Sequence, residues 1–550
     1  MNAPTPPAKP KPTTPAERLF PGKVLSGFLI VLLVIVLYLR ITHEWNETGW
    51  LDEAGANLAT YAATIICSIA IWSWFSFRST YPLAYRRTVM IAGLAVAAFF
   101  MGAMRIDGLT GNWIPLGWRW SWQPPRDFAR AKPHAVNVGP SGDSHEPPPV
   151  IATTPDDYPQ FLGPSRDGYL PDVKLSHDWE TTPPQILWRK EVGAGWSGFA
   201  VVGDYAVTME QYGDEEMVTC RSLASGEIRW SYGNPVRHQD PQGGSGPRST
   251  PTIHESKVYT LGATGIVTCL HLATGELVWR DSLRERYGIT EWQDNTAIMW
   301  GRTNSPLVYS NLCIVPAGGS PPISLIAYDN LTGEKRWEGG DTQISYASPT
   351  VLELAGRDQI VSVNESNLTG HDPATGRQLW SFPWPGNSAA NASASQPHLI
   401  GESLVFISKG YDEGAAAFRV SETGGEYQVE EVWKQRRSLQ TKLTNAVLAG
   451  GYAYGLSDGI FQCVDLADGK KQWAAGRYGH GQIVGAGDVI LVQTENKGEL
   501  VMLAMNPQKH RELGRCKTLG TESQAWNNLC LAGKKLLIRN ADEAVCLKLP

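Results

Sequence analysis

No two cysteines in this chain are adjacent, and none of the eight follows the C-x-x-C-H pattern of a haem site or a Cys-x-x-Cys metal spacing. There is no nucleophile elbow, no zinc-binding helix motif and no dinucleotide fingerprint. Gly318-Gly-Ser320 lacks the strand–helix context of a phosphate loop. Basic charge is not in excess: 48 Lys and Arg face 54 Asp and Glu, a net charge of −6, which argues against a nucleic-acid partner. These absences remove haem, structural zinc, nucleotide and hydrolase chemistry from consideration. What the chain has instead is tryptophan, 21 of them in 550 residues, and glycine, 56.

Five segments share one eleven-residue pattern: Cys220–Trp230, Cys269–Trp279, Ala327–Trp337, Gly370–Trp380 and Cys463–Trp473. A glycine stands four residues before each tryptophan, at Gly226, Gly275, Gly333, Gly376 and Gly469. A strand, a tight turn and a second strand explain this spacing, the glycine supplying the positive φ of the turn. Successive tryptophans lie between 40 residues (Trp433 to Trp473) and 58 residues (Trp279 to Trp337) apart. Self-similarity at that period, four strands per unit, predicts a β-propeller. Trp188, Trp230, Trp279, Trp337, Trp380, Trp433 and Trp473 are then structural docking residues, each gluing one blade to the next. Leu513 stands where an eighth would fall, forty residues after Trp473. The final unit, Trp526–Leu549, supplies three strands, and Gln185–Val192 offers the missing fourth. The expected fold is all-β: an eight-bladed propeller of four-stranded antiparallel blades, closed by an N-terminal strand and preceded by three transmembrane helices.

The turn x-x-D-x-x-T-G-x-x-x-W, at Asp329–Trp337 and Asp372–Trp380, resembles the PQQ-type propeller repeat with its tryptophan-docking motif. Quinoprotein dehydrogenases and BamB-like outer-membrane assembly propellers share that repeat, and the resemblance covers roughly residues 158–550.

Residues 1–23 are Pro- and Lys-rich and read as a disordered cytoplasmic tail. A membrane anchor follows over 24–104, with apolar runs at about 24–39, 55–77 and 88–104. Lys9, Lys11, Arg18 and Lys23 precede the first run, and Arg78, Arg86 and Arg87 lie between the second and third. Glu44, Glu47, Asp52 and Glu53 lie in the loop between the first two. The positive-inside rule places the N-terminus in the cytoplasm and the propeller outside, which in a bacterium means the inner membrane and the periplasm. Residues 105–157 form an aromatic juxtamembrane segment (Trp113, Trp118, Trp120, Trp122) and a Pro-rich tether, and the propeller occupies 158–550.

Innermost strands begin at the channel mouth, and here they begin on polar residues before proline: Arg248–Pro251, Asn304–Pro306, Tyr346–Pro349 and Ser395–Pro397. The candidate ligand-binding ring is Arg248, Asn304, Ser305, Tyr346, Ser348, Lys442, Asn445, His480, Gln482 and Trp526. Such a ring suits a quinone, a cation or an extended peptide; equally, it solvates a water-filled channel. Asp329, Asp372 and Asp465 occupy one repeat position and are expected to bond their own turns. Cys220, Cys269, Cys463 and Cys546 recur at one strand position and act as small buried hydrophobes, whereas a Cys516–Cys530 pairing stays open.

Catalytic residues are not identifiable, and no metal site is expected. Two functions remain. One is a non-catalytic periplasmic scaffold binding a protein or peptide partner, with no cofactor. The other is a membrane-bound, PQQ-dependent dehydrogenase using calcium and passing electrons to membrane quinone. The dehydrogenases commonly carry long inter-blade insertions, and several have an adjacent Cys-Cys pair; this chain has neither, which favours the scaffold.

Overall fold

The computed structural model describes residues 21–45, 53–109, 113–115, 117–133, 149–385, 392–520 and 524–550. The basic residues at 9, 11 and 18, most of the tail and the centre of the Pro-rich tether lie outside them. The chain divides into two compact units: Met1–Pro125 with Pro241–Gly244, and Arg126–Asp240 with Ser245–Pro550.

In the first unit, α1 (Lys23–Trp45), α2 (Glu53–Ser73) and α3 (Leu83–Ala103) are apolar on all sides. Their candidate spans are Lys23–Ile41, Gly55–Arg78 and Leu83–Ala103, each long enough to cross a bilayer. Helix α2 runs into a π-helical turn at Trp74–Arg78. Arg40 on α1 donates to Asn57 Oδ1 (2.7 Å) and Thr60 Oγ1 (3.1 Å) on α2, so its charge is shared with the neighbouring helix. Beyond α3 the chain forms a two-stranded hairpin, Met104–Ile106 with Trp118–Trp120, where only an irregular aromatic segment was expected. Trp120 and Trp122 stack with centroids 5.1 Å apart.

The second unit is an eight-bladed ring of antiparallel four-stranded sheets at 200–234, 252–282, 307–339, 350–383, 398–435, 447–477, 482–517 and 530–548. We number these blades 1 to 8. Blade 8 takes its outer strand from Gln185–Glu191, which pairs Cys546 with Trp188, so the expected closure is present. Hydrophobic clusters fill the spaces between neighbouring blades, as in blades 1 and 2 (Val218, Trp230, Val258, Leu270) and blades 6 and 7 (Phe461, Val492, Val501).

The repeat glycine has two duties. At Gly333 φ is +75°, and a Cβ there would sit 2.7 Å from the Trp279 ring of the preceding blade. Each tryptophan therefore lies flat on the next blade's turn, and its indole donates to a carbonyl there. The acceptors are Leu223 for Trp188 (2.9 Å), Leu272 for Trp230 (2.7 Å), Asn330 for Trp279 (3.0 Å), Pro373 for Trp337 (3.0 Å), Leu466 for Trp433 (2.9 Å) and Asn506 for Trp473 (3.0 Å).

Two positions differ from the sequence expectation. Trp380 donates to Gln359 Oε1 (2.6 Å) within its own blade, because blade 5 replaces the Gly turn with a long hairpin, Gly414–Thr423 with Glu426–Gln435. In blade 7 a bulge places Gly514, not Leu513, opposite Met502, and Trp179 from the N-terminal segment lies over it, within 2.8 Å of where a Cβ would be. All eight cysteines are free, including Cys516 and Cys530. Cys220, Cys269, Cys463 and Cys546 each face a docking tryptophan across the strand pair.

The compact unit begins ahead of Tyr158. Arg130 donates to the Val192 and Ala541 carbonyls and pairs with Asp542, while Asp127 pairs with Arg237, so residues 126–133 dock rather than dangle. Residues 157–173 then pass across the channel end opposite the mouth. Tyr158 exchanges backbone bonds with Val201 of blade 1, Pro159 accepts from Ile253 of blade 2, and Tyr169–Leu170 pair in parallel with Gly485–Ala486 of blade 7.

Candidate functional site

The residues that start the innermost strands form a latch around the channel. Backbone N–H groups of one blade donate to side chains of the next: Gly198 to Thr250 Oγ1 (3.3 Å), Thr250 to Ser305 Oγ (2.9 Å), Ser305 to Ser348 Oγ (2.8 Å) and Gln396 to Asn445 Oδ1 (2.8 Å). Asn304 donates through Nδ2 to the Ser345 (3.0 Å) and Ala347 (2.6 Å) carbonyls, and Gln482 to the Leu443 carbonyl (2.8 Å). Proline at 251, 306, 349 and 397 removes a backbone donor at that level, so side chains take over the bonding between blades. Asn304, Ser305, Ser348, Asn445 and Gln482 thus have their hydrogen-bonding capacity engaged largely in holding the ring.

The remaining candidates fall in two arcs. Along blades 2 to 5, the buried Arg248 pairs with Asp240 and donates to the Gly246 carbonyl (2.7 Å), with His238 Nε2 3.4 Å from the same carboxylate. Burial lowers the His238 pKa, outweighing the pull of Asp240. Tyr346 packs against Trp300 at a tilt of 43°, with centroids 5.0 Å apart. Burial raises the pKa of its hydroxyl, against the opposing pull of the Trp300 backbone N–H. Ile298, Ile344, Tyr346 and Ala392 form one apolar cluster against which Trp300 and Tyr411 pack. Lys442 pairs with Asp458 (3.0 Å) and lies over the Tyr411 ring at 5.4 Å.

Across blades 6 to 8 the organising group is Glu495. Its Oε2 accepts from the His480 backbone (2.9 Å) and its Oε1 from the Trp526 indole (2.9 Å). Trp526 in turn meets Trp196, centroids 4.7 Å apart at 51°. Among the described residues, the buried His480 Nδ1 has no partner. His480 and Trp526 are brought together, then, through an acid that the sequence did not single out. Asp240, Trp196 and Trp300 lie in connections between blades, and Asp458, Glu495 and Tyr411 in turns between the second and third strands of their own blades, where no repeat pattern marks them. Among the described residues, no three His, Cys, Asp or Glu side chains gather as a metal site.

Beside the first arc, Glu216 accepts from the Ala263 N–H (3.0 Å), and burial pushes its carboxyl up to about 7. As expected, the repeat aspartates serve their own turns: Asp329 Oδ1 accepts from Leu331 (3.0 Å) and Thr332 (2.9 Å).

The family model described as outer membrane protein assembly factor BamB matches residues 214–475. Over that stretch the ring is similar to PQQ-type, BamB-like propellers. No curated protein sequence matches the chain. BamB from Moraxella catarrhalis is similar at 16% identity, covering 66% of this chain and 100% of its own, with a TM-score of 0.46. A europium-containing methanol dehydrogenase has 13% identity, covering 70% and 90%, TM-score 0.42. The quinohemoprotein alcohol dehydrogenase ADHIIG from Pseudomonas putida HK5 has 11%, covering 72% and 80%, TM-score 0.42.

Proposed function

We propose that this PQQ-type propeller is a non-catalytic binding module, tethered to a bacterial inner membrane by its three helices and facing the periplasm. Its mouth takes an extended segment of a protein or peptide partner. The observation that carries the reading is the state of the mouth's charges. Arg248 is paired with Asp240 and Lys442 with Asp458, while both Glu495 oxygens accept bonds from within the chain. What lines the mouth besides is aromatic: Trp300, Tyr346 and Tyr411 on one arc, Trp196 and Trp526 on the other. Aromatic rings with polar tips carry binding energy in protein recognition without needing a charged partner.

The same residues do not fit PQQ with calcium. A multiply charged quinone needs several uncommitted cations and a clear stacking plane, but the cations are paired and Trp526 already packs at a tilt on Trp196.

The test uses the full chain in detergent, titrated in parallel with PQQ plus calcium and with a library of fluorescent decapeptides. Expected are no PQQ binding at micromolar concentration and peptide binding weakened at least tenfold by Trp300→Ala or Tyr411→Ala. Micromolar PQQ binding with alcohol-dependent reduction of a dye would establish the dehydrogenase instead.

A further inference from the structure

Arg166 lies on the segment that crosses the channel, and its side chain is buried. Its Nη1 donates to Gln160 Oε1 (3.0 Å) and to the Pro306 carbonyl (3.0 Å), and its Nη2 to the Ser305 carbonyl (3.2 Å). These bonds use both Nη1 protons and one of the two on Nη2. Nε has no partner. Nε–H and Nη2, which makes only that one bond, share one edge of the guanidinium. Two parallel N–H groups are the geometry that a carboxylate accepts in bidentate fashion.

The charge is uncompensated as well. Among the described residues no carboxylate lies within ion-pair distance of Arg166, and burial alone lowers its pKa to about 9. The adjacent Asp167 turns away to cap the Tyr169 N–H (2.9 Å). A buried cation lacking a counter-charge is strongly unfavourable. The backbone adds to this: φ is +56° at Arg166 and +59° at Leu162, in the left-handed region that non-glycine residues seldom occupy. Such strain collects where a segment is held for a purpose other than stability.

We propose that the propeller channel binds a single carboxylate group on the Nε/Nη2 edge of Arg166. One guanidinium matches one negative charge, which favours a carboxylate over a phosphate dianion. The carboxylate comes either from a small organic acid or from the C-terminus of a peptide. The proposal does not depend on the peptide-binding mouth, since a small acid suffices for it.

The experiment follows the melting of the full chain in detergent, in sodium acetate and in sodium chloride at equal ionic strength. A peptide with a free C-terminus and its C-terminal amide form a second pair. Acetate is expected to raise the melting temperature above the chloride value. Arg166→Met, which removes the buried charge, is expected to melt no lower than the wild type in chloride and to lose the acetate response; Arg166→Gln serves if the Met variant does not fold. A free-acid peptide that stabilises more than acetate, while its amide does nothing, identifies a peptide C-terminus as the source. Equal effects of acetate and the free acid identify a small acid. The proposal is overturned if the wild type responds to neither acetate nor the free-acid peptide, or if Arg166→Met keeps the response.

Discussion

Glu216 shows how much one buried residue can set. Its carboxylate lies against Gly262, 1.9 Å from where a Cβ would be, and takes one backbone bond from Ala263. Desolvation outweighs that bond and the fields of Arg248 and Arg284, so protonation is favoured up to about pH 7. The folded state binds this proton more tightly than the unfolded chain, whose glutamate titrates near 4.5. Stability is therefore unaffected below about pH 4.5, falls as pH rises between about 4.5 and 7, and is fully reduced above that, by roughly 3 kcal/mol. Glu216→Gln, which is neutral throughout, should remove this slope. Urea unfolding of both proteins from pH 4.5 to 8 measures it, and parallel profiles would show that Glu216 is not protonated in the fold.

At the level of elements, the closing strand and the docking tryptophans are the units of stability. Gln185–Glu191 pairs along its whole length with Glu543–Lys548, and Trp188 reaches on to blade 1 through the Leu223 carbonyl. Deleting 185–191 should expose an edge on blade 8 and lower the melting temperature of the entire ring. Trp188→Ala alone should cost about 3–5 kcal/mol, as for other buried aromatic truncations. Trp179→Ala should cost a comparable amount, because Trp179 stands over Gly514 where the repeat would otherwise carry its own tryptophan. Thermal unfolding of the two variants checks both; a Trp179→Ala protein as stable as the wild type would mean that this ring only covers the gap. The blade 4–5 contact is made differently. Phe418 from the long hairpin meets Trp380 edge-on with centroids 5.8 Å apart, and Tyr427 and Val429 pack against the same cluster.

For the whole molecule, the orientation proposed from basic residues predicts that a reporter fused after Pro550 is active only outside the cytoplasm. A paired set of reporters, one active inside and one outside, decides this, and cytoplasmic activity reverses the assignment. Blade number and closure were legible because each glycine and tryptophan meets a fixed steric demand in every repeat. Trp380 was not, since its departure is caused by a hairpin in the next blade. Neither was Trp179, which lies outside any repeat and covers Gly514, one place beyond Leu513. In blades 2 to 5 the polar start of the innermost strand could be read from its proline, so Asn304, Ser305 and Ser348 were found. Their assignment to bonding between blades was hidden, because each partner lies some fifty residues away. Asp240 and Glu495, which fix Arg248, His480 and Trp526, sit in connections of irregular length and carry no periodic signal.

Closure by an N-terminal strand also has a consequence in time. Glu191 pairs with Glu543, so the strand that completes the ring is made long before its partner. At the usual rates of synthesis, about 5–20 residues per second, it waits for roughly 20–70 s as an unpaired edge. Its outward residues include Ile186 and Leu187, which stay 45% and 38% exposed even when paired. For that interval the nascent chain offers a free hydrophobic strand to any neighbour that can add to it. The ring therefore folds late and as a unit, and its yield should respond to translation speed and chaperone supply more than its final stability would suggest.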